Sequence, residues 1–469
     1  MKSDFLPSFI KLEDVENLQS GTFELYCPSM QLEATDLGGK SQVYTGPGLI
    51  KQDSNRQLCF TIFADEKVGQ EEILRRWSRH KSGKIIPESE IFSLTAIDFQ
   101  KRLWTSNRVF PSFNHTHPEK TLCQGLCPKL ICKQKKRNIS EQIAYEIVLF
   151  EKLLFPTNRI TKVETIANNQ TTYTLNNDIL HFQSLGFDFL LQKRMDKITI
   201  VQAKTNNSFQ DKHLEARILE ALQFVFGREI KWGIILKNLS DSVETIMETT
   251  HINSEMGNID PPLNLNTANN QAFTDLFGKY FTFITSSYQG QGYHIISSHI
   301  RRVCRSSTSI INTRLLILTT AIEGILKQIH VEYPNESTQT ESIKHLQEYI
   351  KKWKGSDPLK NQVLNYLNQF DKPSARKQLK YLQKLGVTQK RHVDAWYKHR
   401  NIAAHSDSLE EIDIQTLATE HAAILVLMYQ LIFYLIGYKG IHTDYSELGW
   451  PEKIYNISNA STVKQDNPS

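Results

Sequence analysis

The stretch Arg314-Leu315-Leu316-Ile317-Leu318-Thr319-Thr320-Ala321-Ile322-Glu323-Gly324-Ile325-Leu326-Lys327 sets the character of the second half of the chain. Leu315, Leu318, Ile322, Ile325, Leu326 and, further on, Ile329 fall at spacings of three and four. That period lays them along one stripe of an α-helix over Arg314–Val331. The same period predicts helices over Ser342–Trp353, Pro358–Phe370, Ser374–Leu385 and Lys390–Ala404. Gly355-Ser356-Asp357, Lys372-Pro373 and Gly386 punctuate them. Ser408-Leu409-Glu410-Glu411 has the form of a capping box, Ser408 as N-cap and Glu411 reaching back. It is expected to open a long final helix ending near Ile436. Roughly six antiparallel helices of this kind make a bundle.

Working back from that stretch, Asn253 to Asn270 is polar, carries Pro261-Pro262 and a run of asparagines, and reads as a linker. Upstream of it the pattern is one of strands and turns. Val43-Tyr44-Thr45, Gly46-Pro47-Gly48 and Leu49-Ile50 read as strand, turn, strand, and Gln57–Phe63 alternates with period two. Further strands are expected at Thr171–Leu175, Phe187–Gln192, Ile198–Gln202 and Trp232–Leu236. Asn176-Asn177-Asp178 and Met195-Asp196-Lys197 are expected turns. Helices over Ser140–Leu154 and Lys212–Phe226 interrupt the strands. The fold class is therefore α+β: a β-rich N-terminal domain with inserted helices over residues 1–268, then an all-α bundle over 269–445. Residues 446–469 make a polar C-terminal tail, frayed from about Ile454.

Composition excludes several classes. The 469 residues are 40% hydrophobic and 22% charged, which suits packed cores and rules out a mainly disordered or fibrous chain. Lys and Arg number 55 against 50 Asp and Glu; 23 and 18 of these lie from Asn270 onward, leaving 32 of each in residues 1–269. All the positive excess thus belongs to the helical half, where a polyanionic partner would be sought. Met1-Lys2-Ser3-Asp4-Phe5-Leu6-Pro7 has no apolar core of signal-peptide length, and six cysteines are too few for a disulfide framework in so long a chain. A reduced, cytoplasmic protein is expected. Ala422 to Tyr438 is nearly all apolar but shorter than the roughly 20 residues a bilayer requires, with Gln430 in its middle. No membrane partner is expected; the segment suits a helix at the centre of its bundle or one buried against a second chain.

Chemistry concentrates in Arg400-Asn401-Ile402-Ala403-Ala404-His405. Arginine followed by histidine at this spacing is a weak pattern: about two chance matches are expected, and Arg75 to His80 and Arg108 to His115 are such. Only the Arg400 copy has a polar residue beside the arginine and stands in an all-helical region before a long apolar helix. Asn401 and His405 are four apart and share a helix face, while Arg400 lies about 140° round from His405. One straight helix does not close a site from them; a frayed end or a second copy across an interface would. A histidine near a helix C-terminus is favoured in its protonated form and titrates where proton exchange is useful. An arginine grips phosphate with two prongs. RNA brings its own nucleophile, the ribose 2′-OH, so this set needs no metal for catalysis. From Lys372 to Arg400 nine Lys/Arg face one acid, Asp394, with Tyr381, Trp396 and Tyr397 interleaved, a composition suited to phosphate contact and base stacking.

On these residues the helical half resembles the HEPN domain of ApeA-type bacterial anti-phage defence proteins, and the β-rich half is similar to the domain that precedes it there. The resemblance covers most of the chain, with Arg400–His405 as its sharp part. It implies a HEPN helical bundle and a metal-independent endoribonuclease with Arg400, Asn401 and His405 catalytic. It implies a homodimer or higher homo-oligomer that cuts host or phage RNA to arrest an infected cell, the N-terminal domain sensing a phage-derived trigger. Family members carry an acidic residue on an early bundle helix, and Glu323 is the match; the same carboxylate is also spaced to pair with Lys327 at i+4. The alternative is a HEPN bundle that only binds RNA or protein.

Two further constellations stand in the N-terminal half. Cys123, Cys127 and Cys132, with His117 as fourth ligand, have spacing for a structural zinc site; buried free thiols fit the same residues equally well. Asp188 with Gln202-Ala203-Lys204 is similar to the acidic and lysine elements of restriction-type nucleases, but glutamine stands where a metal-binding acid is required, so a charged hairpin is the expectation. No glycine-rich loop precedes Lys and Ser/Thr, and no nucleotide cofactor is expected.

Overall fold

A computed structural model describes residues 12–35, 41–66, 91–114, 120–136, 142–167, 170–194, 198–206, 213–248, 257–287, 290, 292–330, 336–370, 374–405 and 413–457. The chain divides into two compact units, Met1–Glu215 with Ile230–Glu255, and Ala216–Glu229 with Met256–Ser469. The first is β-rich and the second helical, so the α+β class holds at that level.

In the first unit helix α1 (Leu12–Ser20) precedes strands β1 (Glu24–Thr35), β2 (Ser41–Gln52), β3 (Leu58–Ala64), β4 (Phe92–Ile97), β5 (Leu103–Asn114) and β6 (Thr121–Leu126). These six pair in the order β4-β1-β2-β3-β6-β5, and a β4–β5 pairing closes them into an antiparallel barrel. Alternation decides what fills it: Leu58, Phe60, Ile62 and Ala64 on β3 point inward, with Val15 and Leu18 of α1 in the same core. The sheet continues from β5 through β7 (Lys129–Lys135), β14 (Ser242–Glu248), β13 (Trp232–Asn238), β8 (Ile143–Leu149), β12 (Ile198–Thr205), β11 (Phe187–Arg194), β10 (Gln170–Ser184) and β9 (Arg159–Ala167).

Three sequence expectations fail here for identifiable reasons. Gly46-Pro47-Gly48 is not a turn: β2 runs through it, and its pairing with β1 slips between Cys27 and Met30. A Cβ on Gly46 would sit 2.1 Å from the Phe63 carbonyl oxygen, and one on Gly48 2.1 Å from that of Thr61. The glycines therefore serve the close approach of a bent barrel strand rather than a reversal of the chain. Asn176-Asn177-Asp178 is likewise absorbed into β10 as an irregularity between Asn177 and Ile179. Ser140–Leu154 is not helical but holds β8, between β12 and β13. Ala144 to Leu149 are all buried, and a strand covered on both faces loses the alternation that distinguishes it from a buried helix. The expected turn at Met195–Lys197 lies outside the described residues.

The expected helix after β12 exists as α2 (Leu214–Phe226), yet most of it belongs to the second unit. Phe224 stacks on Tyr280 with centroids 4.3 Å apart, and Glu220 accepts from the His294 backbone at 3.1 Å. The remaining helices are α3 (Asn270–Ser287), α4 (Ile295–Ser306), α5 (Ile311–Leu326), α6 (Glu336–Lys352), α7 (Asp357–Phe370), α8 (Ala375–Lys384), α9 (Lys390–His405) and α10 (Ile414–Ile436). The capping box at Ser408–Glu411 lies outside the described residues; α10 is capped instead by Asp413, which accepts from Thr416 N at 3.1 Å. By length and composition α10 could cross a membrane, but every residue from Ala423 to Phe433 is buried within its unit, against α5 and α9 among others.

The tail expectation also changes. Glu452–Tyr455 is a strand (β16) paired with Gly440–Thr443 (β15), and Tyr455 donates to the Gln430 carbonyl at 3.0 Å. Polar composition there hides a buried carboxylate, Asp444, which accepts from Lys453 at 2.9 Å, from Ser446 N at 3.1 Å and from Arg391. Residues 458–469 lie outside the described set.

Gly48→Ala is expected to destabilise the barrel by about 1–3 kcal/mol, because the clash is with backbone that cannot rotate away. Denaturant unfolding followed by a β-sheet signal checks this; an unchanged midpoint would refute the close-approach reading.

Candidate functional site

α5 and α9 meet side by side. Trp396, almost fully buried, donates its indole N–H to the Thr319 carbonyl at 3.2 Å. One turn further along both helices, Arg400 Nε donates to Glu323 Oε1 at 3.0 Å. The two contacts advance together by four residues, so α5 and α9 run in the same direction here and the buried indole sets the register of the charged pair above it. Trp396 is thus a core residue rather than a stacking surface. Both charged partners stay accessible, Arg400 at 47% and Glu323 at 35%. Glu323 is engaged with Arg400, the other reading of the carboxylate being a pair with Lys327.

Asn401 extends the cluster. Its hydrogen bond with the Tyr397 phenol, one turn back on α9, draws that phenol below its ordinary range against the opposing effect of burial; Arg376 lowers it further. Arg376 of α8 donates to Tyr397 Oη at 2.7 Å and lies over its ring at 4.0 Å. α9 remains helical through His405, one turn beyond Asn401; the His405 side chain lies outside the described residues. Of the chance copies, Arg75, His80 and His115 are outside them too, and Arg108 stands on β5 of the barrel.

Sequence reasoning missed a second charged group next to the first. His399 is buried, and its Nε2 lies 2.5 Å from Glu420 Oε2 on α10, whose other oxygen accepts from Lys398 at 2.7 Å. Burial works against the Glu420 charge, but the Lys398 and His399 hydrogen bonds outweigh it and hold the carboxyl below its usual range. The pair fastens the C-terminal half of α9 to α10. No spacing announces it, since its members are 21 residues apart on different helices. The histidine beside Arg400 was the available signal.

The N-terminal half of α9 is held by His392, fully buried, with Nδ1 3.2 Å from Gln430 Oε1 and Nε2 3.1 Å from Ser446 Oγ. Burial lowers its pKa to about 4, although Gln430 and Asp444 work in the opposite sense.

In the β-rich unit the sequence candidates remain apart from this chemistry. Cys123, Cys127 and Cys132 are buried members of the barrel core, on β6, just after it, and on β7. Burial raises Cys127 to about 12, favouring the thiol. His117 lies outside the described residues, and among those described no group of three or more His, Cys, Asp or Glu is gathered to hold a metal. Asp188 stands opposite Lys204 in register, while the Gln202 amide donates to the buried Glu146 carboxylate at 2.7 Å. No family model, curated protein or solved structure matches the chain.

His392 leads to a pH prediction. Unfolded histidine titrates near 6.5, so between about pH 6.5 and 4 the unfolded chain binds a proton that folded His392 refuses. Its contribution is present above that window and is lost as pH falls through it. His294 and His421, also lowered to about 4 by burial, act in the same direction. Stability is expected to drop from pH 7 to pH 5, and His392→Gln to reduce that dependence without removing it. Denaturant midpoints at pH 7, 6 and 5 check it; a slope unaltered by the substitution would contradict the assignment.

Proposed function

We propose that this chain is a metal-independent endoribonuclease of the HEPN kind, an effector of anti-phage defence of the ApeA type, acting in the cytoplasm as a homodimer. The observation that carries the reading is the Arg400–Glu323 pair. The arginine of the Arg-Asn-x-x-x-His stretch faces the carboxylate selected on an earlier helix, 77 residues away in sequence. A pure binding module has no need of that acid, nor of a histidine one turn past Asn401.

In the proposed reaction Arg400, aimed by Glu323, receives the non-bridging oxygens of a phosphodiester, and Asn401 with Tyr397 lines the approach. His405 takes the proton of the ribose 2′-OH as its oxygen bonds to phosphorus. The 5′-oxygen of the next nucleotide leaves with its bonding electrons and takes a proton from the second histidine. The products are a 2′,3′-cyclic phosphate and a 5′-hydroxyl, with no metal or other cofactor taking part. α9 stays helical to His405, which favours completion of the site by a twofold-related chain over a frayed helix end.

Arg400→Ala and His405→Ala are expected to lower cleavage of total RNA by 100-fold or more in order of magnitude. The fold should survive, since an exposed pair such as Arg400–Glu323 contributes only about 0–1 kcal/mol. Cleavage should persist in EDTA. A nuclease that stops in EDTA yet survives His405→Ala would sink the reading. Sharing of the site is tested by mixing: excess His405→Ala subunits exchanged into wild type should suppress activity more steeply than dilution. Proportional loss with a monomeric mass in light scattering would reject the composite site.

A further inference from the structure

α6 and α7 pack on each other as a helical hairpin, and no residue of α6 from Glu341 to Lys352 is buried. The hairpin nonetheless carries large side chains outward: Tyr349 is 69% exposed, Tyr366 63% and Trp353 38%. A Cβ on Gly355 would lie 2.2 Å from the Trp353 ring, so the indole is packed on bare backbone and keeps part of its surface open to solvent. That is a preset platform rather than a loose side chain. Lys351, Lys352 and Lys354 flank it, all exposed, and among the described residues none of the three enters an ion pair.

We propose that this hairpin is a holding site for unpaired RNA, with Tyr349 and Trp353 stacking on bases and Lys351, Lys352 and Lys354 contacting phosphates. The inference rests on the ribonuclease reading and extends it to the form of the substrate. Aromatic faces set between ammonium groups match a strand whose bases and phosphates alternate. Bases within a duplex are already stacked and closed to such side chains, which selects single strands. A second copy of the chain fits less well: a twofold contact would bring together three ammonium groups from each copy, more positive charge than the neighbouring Glu348 of each offsets.

The test uses the full-length chain carrying His405→Ala, so that bound RNA stays intact, and fluorescence anisotropy of a labelled oligouridylate. Tyr349→Ala combined with Trp353→Ala should weaken binding by about tenfold or more while binding of the same strand annealed to oligoadenylate changes little. Lys351→Gln, Lys352→Gln and Lys354→Gln together should lower the salt dependence of log K by about 2, for three lost phosphate contacts on a single strand. All these side chains are exposed, and if the aromatic variant loses its helical spectrum the lysine variant decides alone. Unchanged oligouridylate affinity and salt slope would overturn the proposal. So would a fall from dimer to monomer mass in the aromatic variant with affinity intact, which would mark a self-association face. Cleavage is read separately on the wild-type background. RNA held through the hairpin but never cut would fell the nuclease reading and leave the holding site standing; cutting without hairpin binding would do the reverse.

Discussion

A helix that is apolar on every side has to be enclosed, and α10 imposes that requirement on the helical unit. From Ala423 to Phe433 no residue reaches solvent, and each large side chain there contributes about 1.5–3 kcal/mol by leaving water. α5 and α9 pack on it and on each other. Of its polar side chains in that run, Gln430 meets His392 and Tyr429 donates to the Asp260 carbonyl, while the Gln430 backbone carbonyl takes Tyr455 of the terminal hairpin. With α5 and α9 both pressed against the same helix, the Trp396–Thr319 contact fixes how far one has slid along the other. Arg400 and Glu323 meet as a consequence.

The charges divide by burial, and the division separates groups fixed within the fold from a pair open to solvent. Asp444 is wholly buried, and Lys453, Arg391 and Ser446 together replace its hydration, so the group holds the hairpin to the start of α9. His399 with Glu420 does similar work near the other end. Arg400–Glu323 lies where water competes, and its net worth is small. A guanidinium held by Glu323 through Nε and otherwise half open to water suits the phosphate-gripping role proposed for Arg400.

The β-rich unit shows where pattern misleads. Alternation located β3 from the residues alone, because one of its faces repeats apolar while the other varies, whereas β11, β12 and β13 were legible only as short apolar runs, β12 and β13 being covered on both faces. β8 is covered on both faces as well, and within the longer apolar stretch Ser140–Leu154 nothing in the pattern told strand from buried helix. Gly46-Pro47-Gly48 has turn composition in a barrel strand, where glycine admits a neighbouring carbonyl at a distance no side chain permits. The cysteines combine ligand-like spacing with buried positions in the barrel core.

Local sequence located the helices from α5 onward by their period of 3.6 and their breakers, while α3 and α4, between Asn270 and Ser306, were not singled out. It also singled out Arg400, Asn401 and His405 as residue types suited to phosphodiester chemistry, Glu323 being added only by the resemblance. Tertiary structure decided that Arg400 finds Glu323, that His399 finds Glu420, that α2 leaves the strands around it for the helical unit, and that a polar tail closes over Asp444. Each of these joins residues remote in sequence. Periodicity reports which face of an element avoids water; it carries no information about which other face will cover it. That choice follows from packing, here from the enclosure of one helix apolar all round, and the candidate site is built at the place where two of the enclosing helices touch.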